Sequence, residues 1–429
     1  MSTGICDLER LRRQPAAVLG AGVSGSGAGT LLRSLDWEYE IFDEQSRAFG
    51  WTEAQACSVV VFSPGFPKDH PWLELARKAG KLLLGEVDFA SAFWPGRIVA
   101  VTGTNGKTTL VKFLELLLKD ADRQVCIGGN VGNSFAEVVA KNPEPNCTAI
   151  LELSSFQTES LKILRPDSVI WTNFDEDHLD RHHDMSSYFK AKACLVERLR
   201  GDCFLSGVSV LEYSDAKNLK LAREPMVIVR EEAEKLKIPS SSPFSSYPQR
   251  ENLALAMAFA EEEKISMKVF RDTIEKFHGE PHRLERVASF GNATFWNDSK
   301  ATNFSATLAA CKSFVEKPFW IGGGQSKGGD LERFARRMAE LVSKAYLIGE
   351  TGPELRRMLS SLGLPCLSYG DLAKATRAAF VDAKKFTDIL FSPGFSSFDS
   401  FPNYAARGKS FIDVVLRLKN NARASTALS

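Results

Sequence analysis

Between Val99 and Leu110 an apolar run passes through a turn holding Gly103 and Gly106. Lys107, Thr108 and Thr109 then head an apolar-periodic stretch that runs to Leu118. A strand feeding a glycine turn that opens a helix aims backbone N–H groups and the positive helix end at one point, which suits a phosphate. Lys107 would neutralise β- and γ-phosphate oxygens and the Thr108 hydroxyl would ligate Mg²⁺, with Gly103, Thr104, Asn105, Gly106 and Thr109 completing the cradle. The usual phosphate-loop spacing has a glycine where Val101 stands, so this is a shortened variant. The plain alternative is a glycine turn before a helix with a chance Lys-Thr. A second glycine turn, Gly20, Gly22 and Gly25 followed by Asp43, would suit a dinucleotide, but a lone fingerprint of this kind is weak.

Strand-like runs position these turns. Ala16–Leu19, Tyr39–Phe42 and Ser58–Phe62 predict a small parallel α/β unit, and the last run ends in Ser63, Pro64 and Gly65. Ile98–Thr102, Ala149–Glu152 and Ser168–Trp171 predict a second. Thr294–Trp296, Phe319–Ile321 and Ile389–Phe391 predict a third, with Gly322–Gly324 and Ser392–Gly394 as turns. The polar residues just beyond the strands are the ones expected to meet ligands, because open parallel sheets bind outside their carboxyl ends. The Ser- and Pro-rich stretch 238–248 reads as a surface loop. No internal repeat or long low-complexity tract interrupts the chain.

The 429 residues suggest roughly three domains. With 54 basic and 53 acidic residues, no net positive field exists to hold a nucleic acid or an anionic membrane. The stretch from Met1 to Arg13 is too polar for a secretory signal, and no apolar run is long enough to span a bilayer. Eight scattered cysteines without a C-x-x-C pair fit buried thiols in a reducing compartment, hence a cytoplasmic protein.

Four further strings carry a family resemblance: Leu151–Gln157, Asn173–Arg181, Pro281–Arg283 and Asn297–Asn303. With the phosphate loop and Ser396–Asp399, they make essentially the whole chain resemble the Mur ligases of peptidoglycan synthesis, in particular the D-glutamate-adding branch. The resemblance implies an α/β fold of three domains. These are a Rossmann-like domain for the UDP moiety (1–85), a central ATPase domain with a parallel sheet (86–279) and a Rossmann-like C-terminal domain (280–429). It implies an acyl-phosphate ligase that joins D-glutamate to UDP-N-acetylmuramoyl-L-alanine with ATP and two Mg²⁺ ions, working as a monomer.

The resemblance also assigns residues. Glu152, a hard oxygen ligand, Thr108 and His178 belong to the metal site. Lys192 matches a lysine carried as a carbamate, an anion that suits Mg²⁺, while Lys190, two residues away on a helix, faces elsewhere. Asn252, Arg283 and Asp298 match ATP-contacting positions. Ser24, Asp43, Gly65, Asn130, Ser154, Gln157 and His178 match the UDP-substrate site. Thr302, Lys327, Ser397, Phe398 and Tyr404 match the D-glutamate site.

The chain departs from the family pattern at Ser246–Glu251, where a Gly-x-His-Asn string is usual, and at Glu44 and Gln45 after Asp43. Other readings stay open here. They are a sister Mur ligase, a folylpolyglutamate-type ligase, an NAD-dependent oxidoreductase built on the first glycine turn, and a catalytically silent nucleotide-binding regulator.

Overall fold

A computed structural model describes residues 8, 10–141, 144–228, 238, 242–244, 249–279, 281–384 and 386–426. The Ser/Pro-rich stretch 238–248 and the departure at 246–248 therefore lie largely or wholly outside the described residues, as does most of the segment from Met1 to Arg13. Two compact units divide the chain. One comprises Met1–Phe174, Ser186–Ile238 and Arg250–Phe277, and the other Asp175–Met185, Pro239–Gln249 and His278–Ser429.

The first unit carries two parallel sheets. Strands β1 (Ala16–Leu19), β2 (Tyr39–Phe42), β3 (Val59–Phe62) and β4 (Leu82–Gly85) lie in the order β2-β1-β3-β4. The order reverses between β1 and β3, so the crevice of this sheet opens between the Gly20 turn and the Ser63–Gly65 turn. Strands β5 (Arg97–Thr102), β6 (Val125–Gly129), β7 (Thr148–Glu152), β8 (Ser168–Trp171), β9 (Cys203–Gly207) and β10 (Met226–Ile228) lie in the order β10-β9-β8-β5-β7-β6. β5, β7 and β8 are buried almost throughout, as strands covered by helices on both faces must be.

Two carboxylates on the short helix Glu86–Ser91 tie these sheets together. Glu86 accepts the Ala136 N–H at 2.6 Å, and Asp88 accepts those of Lys162, Ile163 and Leu164 at 2.7, 2.8 and 2.7 Å.

The second unit has one six-stranded sheet built from β11 (Glu285–Phe290), β12 (Ala293–Asn297), β13 (Phe319–Gly322), β14 (Lys344–Leu347), β15 (Cys366–Ser368) and β16 (Thr387–Phe391). Its order is β11-β12-β16-β13-β14-β15, with β11 antiparallel to β12 and the rest parallel. Apolar clusters cover both faces, one around Trp320, Phe334 and Leu355, the other around Phe295, Tyr346 and Phe411.

All nine strand-like runs of the sequence are strands. The remaining seven strands escaped the pattern. β6, with two glycines in five residues, and the three-residue β10 and β15 are too short or too weakly apolar to stand out.

Candidate functional site

The glycine turn after β5 is shaped by its neighbours in the sheet. Gly103 and Gly106 hold φ of +142° and +83°, and a Cβ would lie 2.0 Å from Thr172 Oγ1 at the first and 2.1 Å from Asn252 Nδ2 at the second. Only glycine fits either position. Asn173, just past the end of β8, clamps the loop from the adjacent strand. Its Oδ1 accepts the Asn105 N–H at 2.9 Å, and its Nδ2 donates to the Asn105 carbonyl at 2.9 Å. Thr172 Oγ1 donates to the same carbonyl at 2.7 Å. Asn173 carries no role in the sequence analysis, although its place just after a strand could have flagged it.

Lys107 opens the helix Lys107–Asp120 and folds over the turn, donating to the carbonyls of Gly103 at 2.9 Å and Thr104 at 2.8 Å. Lys192 reaches the same turn from the helix Met185–Glu197. Its Nζ is 2.9 Å from the Gly103 carbonyl, 3.4 Å from Thr102 Oγ1 and 4.8 Å from the Tyr188 ring centroid. It is 1% exposed, whereas Lys190 is exposed, as helical geometry requires.

Glu152 ends β7, where Val101 of β5 is its register partner. Asn130 donates its side chain to Glu152 Oε1 at 2.9 Å and its backbone N–H to the Glu152 carbonyl at 2.8 Å. Oε2 is buried and, among the described residues, has no hydrogen-bond partner. A buried carboxylate oxygen without a donor is costly unless a cation completes it. Glu152 thus fits a hard divalent ion whose other ligands would be oxygens. Among the described residues no cluster of three His, Cys, Asp or Glu forms a self-sufficient metal cage.

Ser154 and Gln157 cap one another at the helix Ser155–Thr158: Ser154 Oγ accepts the Gln157 N–H, and Gln157 Oε1 accepts the Ser154 N–H. Asn252 is buried on the helix Gln249–Glu262 against Gly106. At the first sheet, Asp43 accepts the N–H groups of Ala21 and Gln45 at 2.9 and 3.1 Å, which hold its carboxyl below the usual range. Glu44 pairs with His70 at 3.0 Å. Ser24 is half-buried at the head of the helix Val23–Ser34, and Gly65 is exposed in the turn after β3.

The second unit holds the other expected residues. Three consecutive acids each bind a different partner. Asp175 accepts Ser305 Oγ at 2.5 Å, Glu176 the Asp330 N–H at 3.0 Å and Asp177 the Asn303 side-chain amide at 2.9 Å. His178 follows with a left-handed φ of 55°, its Nε2 3.6 Å from Asp177 Oδ2. Lys327 lies 3.9 Å from Asp177 Oδ1 and donates to Thr302 Oγ1 at 3.3 Å. A narrow cleft of about 20 Å³ gathers Asp177, His178, Thr302 and Lys327. Ser397 is buried, Phe398 is 69% exposed, and Tyr404 starts the helix Tyr404–Thr426 under the Lys300 ammonium; none of the three lines that cleft.

Asp298 is buried, its oxygens accepting Ser392 Oγ at 2.7 Å and the Leu284 N–H at 3.1 Å. Burial pushes its carboxyl up to about 6, with Ser392 and the Arg283 charge opposing. Arg283 Nε is buried and, among the described residues, has no hydrogen-bond partner.

Arg407 escaped the sequence reading altogether. It is 1% exposed and spreads its guanidinium over the Ser299 hydroxyl and carbonyl and the carbonyls of Phe395 and Ser396. It thereby ties the loop after β12 to the loop after β16. A lone arginine in a helix carries no local signal of such a task.

Residues 101–270 match the profile of the Mur ligase middle domain. The UDP-N-acetylmuramoylalanine–D-glutamate ligase of Aquifex aeolicus is 33% identical over 93% of this chain and 97% of its own length. The chain belongs to the UDP-N-acetylmuramoylalanine–D-glutamate ligases.

The ligase of the same name from Bacteroides fragilis is 31% identical over 94% of this chain and 99% of its own. Among solved structures, the UDP-N-acetylmuramate–alanine ligase MurC of Thermotoga maritima shares the fold. Its TM-score is 0.60 at 15% identity, covering 95% of this chain and 100% of that one. Like other members of this ligase family, the chain is an ATP-dependent enzyme of peptidoglycan precursor synthesis, using Mg²⁺. Among the described residues no helix is long and apolar enough to cross a membrane.

Proposed function

We propose that this ligase joins the amine of D-glutamate to the alanyl carboxylate of UDP-N-acetylmuramoyl-L-alanine, giving an amide, ADP and phosphate. The observation that carries the reading is Glu152. One carboxylate oxygen is pinned by Asn130, and the other is buried without a donor one strand away from a lysine–threonine phosphate loop. That is the donor set a nucleotide-bound divalent ion requires.

The domains in this reading are 1–85 for the UDP moiety, 86–279 for ATP and 280–429 for the amino acid, in a cytoplasmic monomer. Ser24, Asp43, Gly65, Asn130, Ser154, Gln157 and His178 serve the UDP substrate. Asn252, Arg283 and Asp298 serve ATP together with the phosphate loop. Thr302, Lys327, Ser397, Phe398 and Tyr404 serve D-glutamate.

Lys107 turns from its two loop carbonyls to the β- and γ-phosphates and offsets charge that develops as the alanyl carboxylate attacks the γ-phosphorus. Glu152, Thr108, His178 and a carbamate on Lys192 would hold two Mg²⁺ ions, whose chemistry is to polarise phosphoryl oxygens. The uncharged amine of D-glutamate then attacks the acyl carbon of the acyl phosphate, and the tetrahedral adduct expels phosphate, which carries away the proton that nitrogen loses. Thr302 and Lys327 orient the amino acid through its carboxylate, which leaves the nucleophile free.

A coupled ADP-release assay tests the reading. Turnover should require both UDP-N-acetylmuramoyl-L-alanine and D-glutamate, with L-glutamate and L-alanine poor replacements. Equal turnover with L-alanine or a diamino acid would sink the assignment.

A further inference from the structure

Resting on that reading, we propose that Asp177 is the group that receives the ammonium of the incoming amino acid, so that the Asp177–Lys327 pair is a template for a zwitterion. The substrate carries a carboxylate and an ammonium on one carbon, and the cleft presents the inverse arrangement. Lys327 Nζ, steered by Thr302 Oγ1 at 3.3 Å, faces Asp177 Oδ1 at 3.9 Å. That separation is longer than a hydrogen-bonded ion pair, so the two charges attract without locking together. An amino acid that parts the two gives its carboxylate to Lys327 and Thr302 and its ammonium to Asp177. Both protein charges then keep a counter-charge throughout, and no buried charge is left alone.

Asp177 is built to hold its place during that exchange. Asn303 fixes Oδ2 at 2.9 Å, and the His178 N–H fixes Oδ1 at 2.9 Å. On either side, Asp175 and Glu176 are anchored on Ser305 Oγ and the Asp330 N–H. The carboxylate side chain is 8% exposed and Lys327 is 24% exposed, so a bound ammonium would meet a largely desolvated partner.

The test separates recognition of the ammonium from general integrity of the cleft. Glutarate keeps both carboxylates of the substrate and lacks the amine. With the full chain, saturating ATP, Mg²⁺ and UDP-N-acetylmuramoyl-L-alanine, the D-glutamate KM and the competitive inhibition constant of glutarate are measured for wild type and Asp177→Asn. Loss of a charge-assisted contact should raise the D-glutamate KM by about tenfold to a hundredfold, while glutarate inhibits both proteins alike. Equal weakening of the two ligands would assign Asp177 a structural task and overturn the proposal; so would an unchanged D-glutamate KM. Should Asp177→Asn not fold, the wild type alone decides, because glutarate binding as tightly as D-glutamate would show that no group reads the ammonium. A wild type that ignores D-glutamate but uses another amino acid would overturn the functional reading itself, a result distinct from any of these.

Discussion

Lys192 Nζ donates to the Gly103 carbonyl at 2.9 Å, so a buried lysine shares the backbone of the phosphate turn with Lys107. Two ammonium groups on one loop repel unless an anion or proton loss intervenes. Reaction of the Lys192 amine with CO₂ replaces a positive charge by a negative one and so removes that conflict.

Lys192→Ala should be nearly inactive while ATP still binds, and small added carboxylates should restore part of the rate by standing in for the carbamate. Turnover under bicarbonate-free conditions, with and without added acetate or formate, checks it. Near-wild-type turnover of the variant in the bicarbonate-free assay would remove the carbamate from the mechanism.

Lys327→Ala should raise the D-glutamate KM roughly ten- to a hundredfold, the worth of one charge-assisted hydrogen bond. The KM values for ATP and the UDP substrate should change far less. A shift confined to ATP would move the loop after β13 to the nucleotide site.

Glu86 is 2% exposed, and its Oε2 has no hydrogen-bond partner; burial raises its carboxyl to about 7, opposed by the Ala136 and Phe135 N–H groups. A raised carboxyl costs stability where it must ionise. Its contribution is fully present below the ordinary carboxylate range and is lost as pH climbs through about 7. The loss is on the order of 3 kcal/mol. Glu86→Gln keeps the acceptor for Ala136 and cannot ionise. It should be no more stable than wild type at pH 5 and more stable at pH 8.5, as urea midpoints will show. Parallel pH profiles for the two proteins would refute this.

Arg407 bonds to carbonyls of two loops from within one buried guanidinium. Arg407→Lys keeps a charge but not the planar fork that reaches both. It should lose roughly 2–4 kcal/mol of unfolding free energy and raise the D-glutamate KM, because the loop of Thr302 and that of Ser397 lose their shared tie. An unchanged urea midpoint together with an unchanged KM would show the clamp to be dispensable.

What the sequence determined by itself was local. The phosphate turn was legible because strand, glycine pair and helix head lie within a dozen consecutive positions, and because positive φ at Gly103 and Gly106 demands glycine there. The nine recognised strands were legible for the same reason: each carries its apolar run within a few residues. The family resemblance named Glu152, Lys192 and Lys327, but not what each one touches.

Tertiary structure alone decided the rest. Asn173 clamps Asn105 only because β8 is hydrogen-bonded beside β5, a pairing that skips the intervening β6 and β7 in sequence. Asp175, Glu176 and Asp177 lie a few residues after β8 of the first unit, yet bond to Ser305, Asp330 and Asn303 of the second. Arg407 finds Ser299 from 108 positions away. Periodicity and propensity act over one or two turns of chain. Contacts of this reach are instead set by which faces the sheets bury and which strands they pair, and that choice is made by the whole fold.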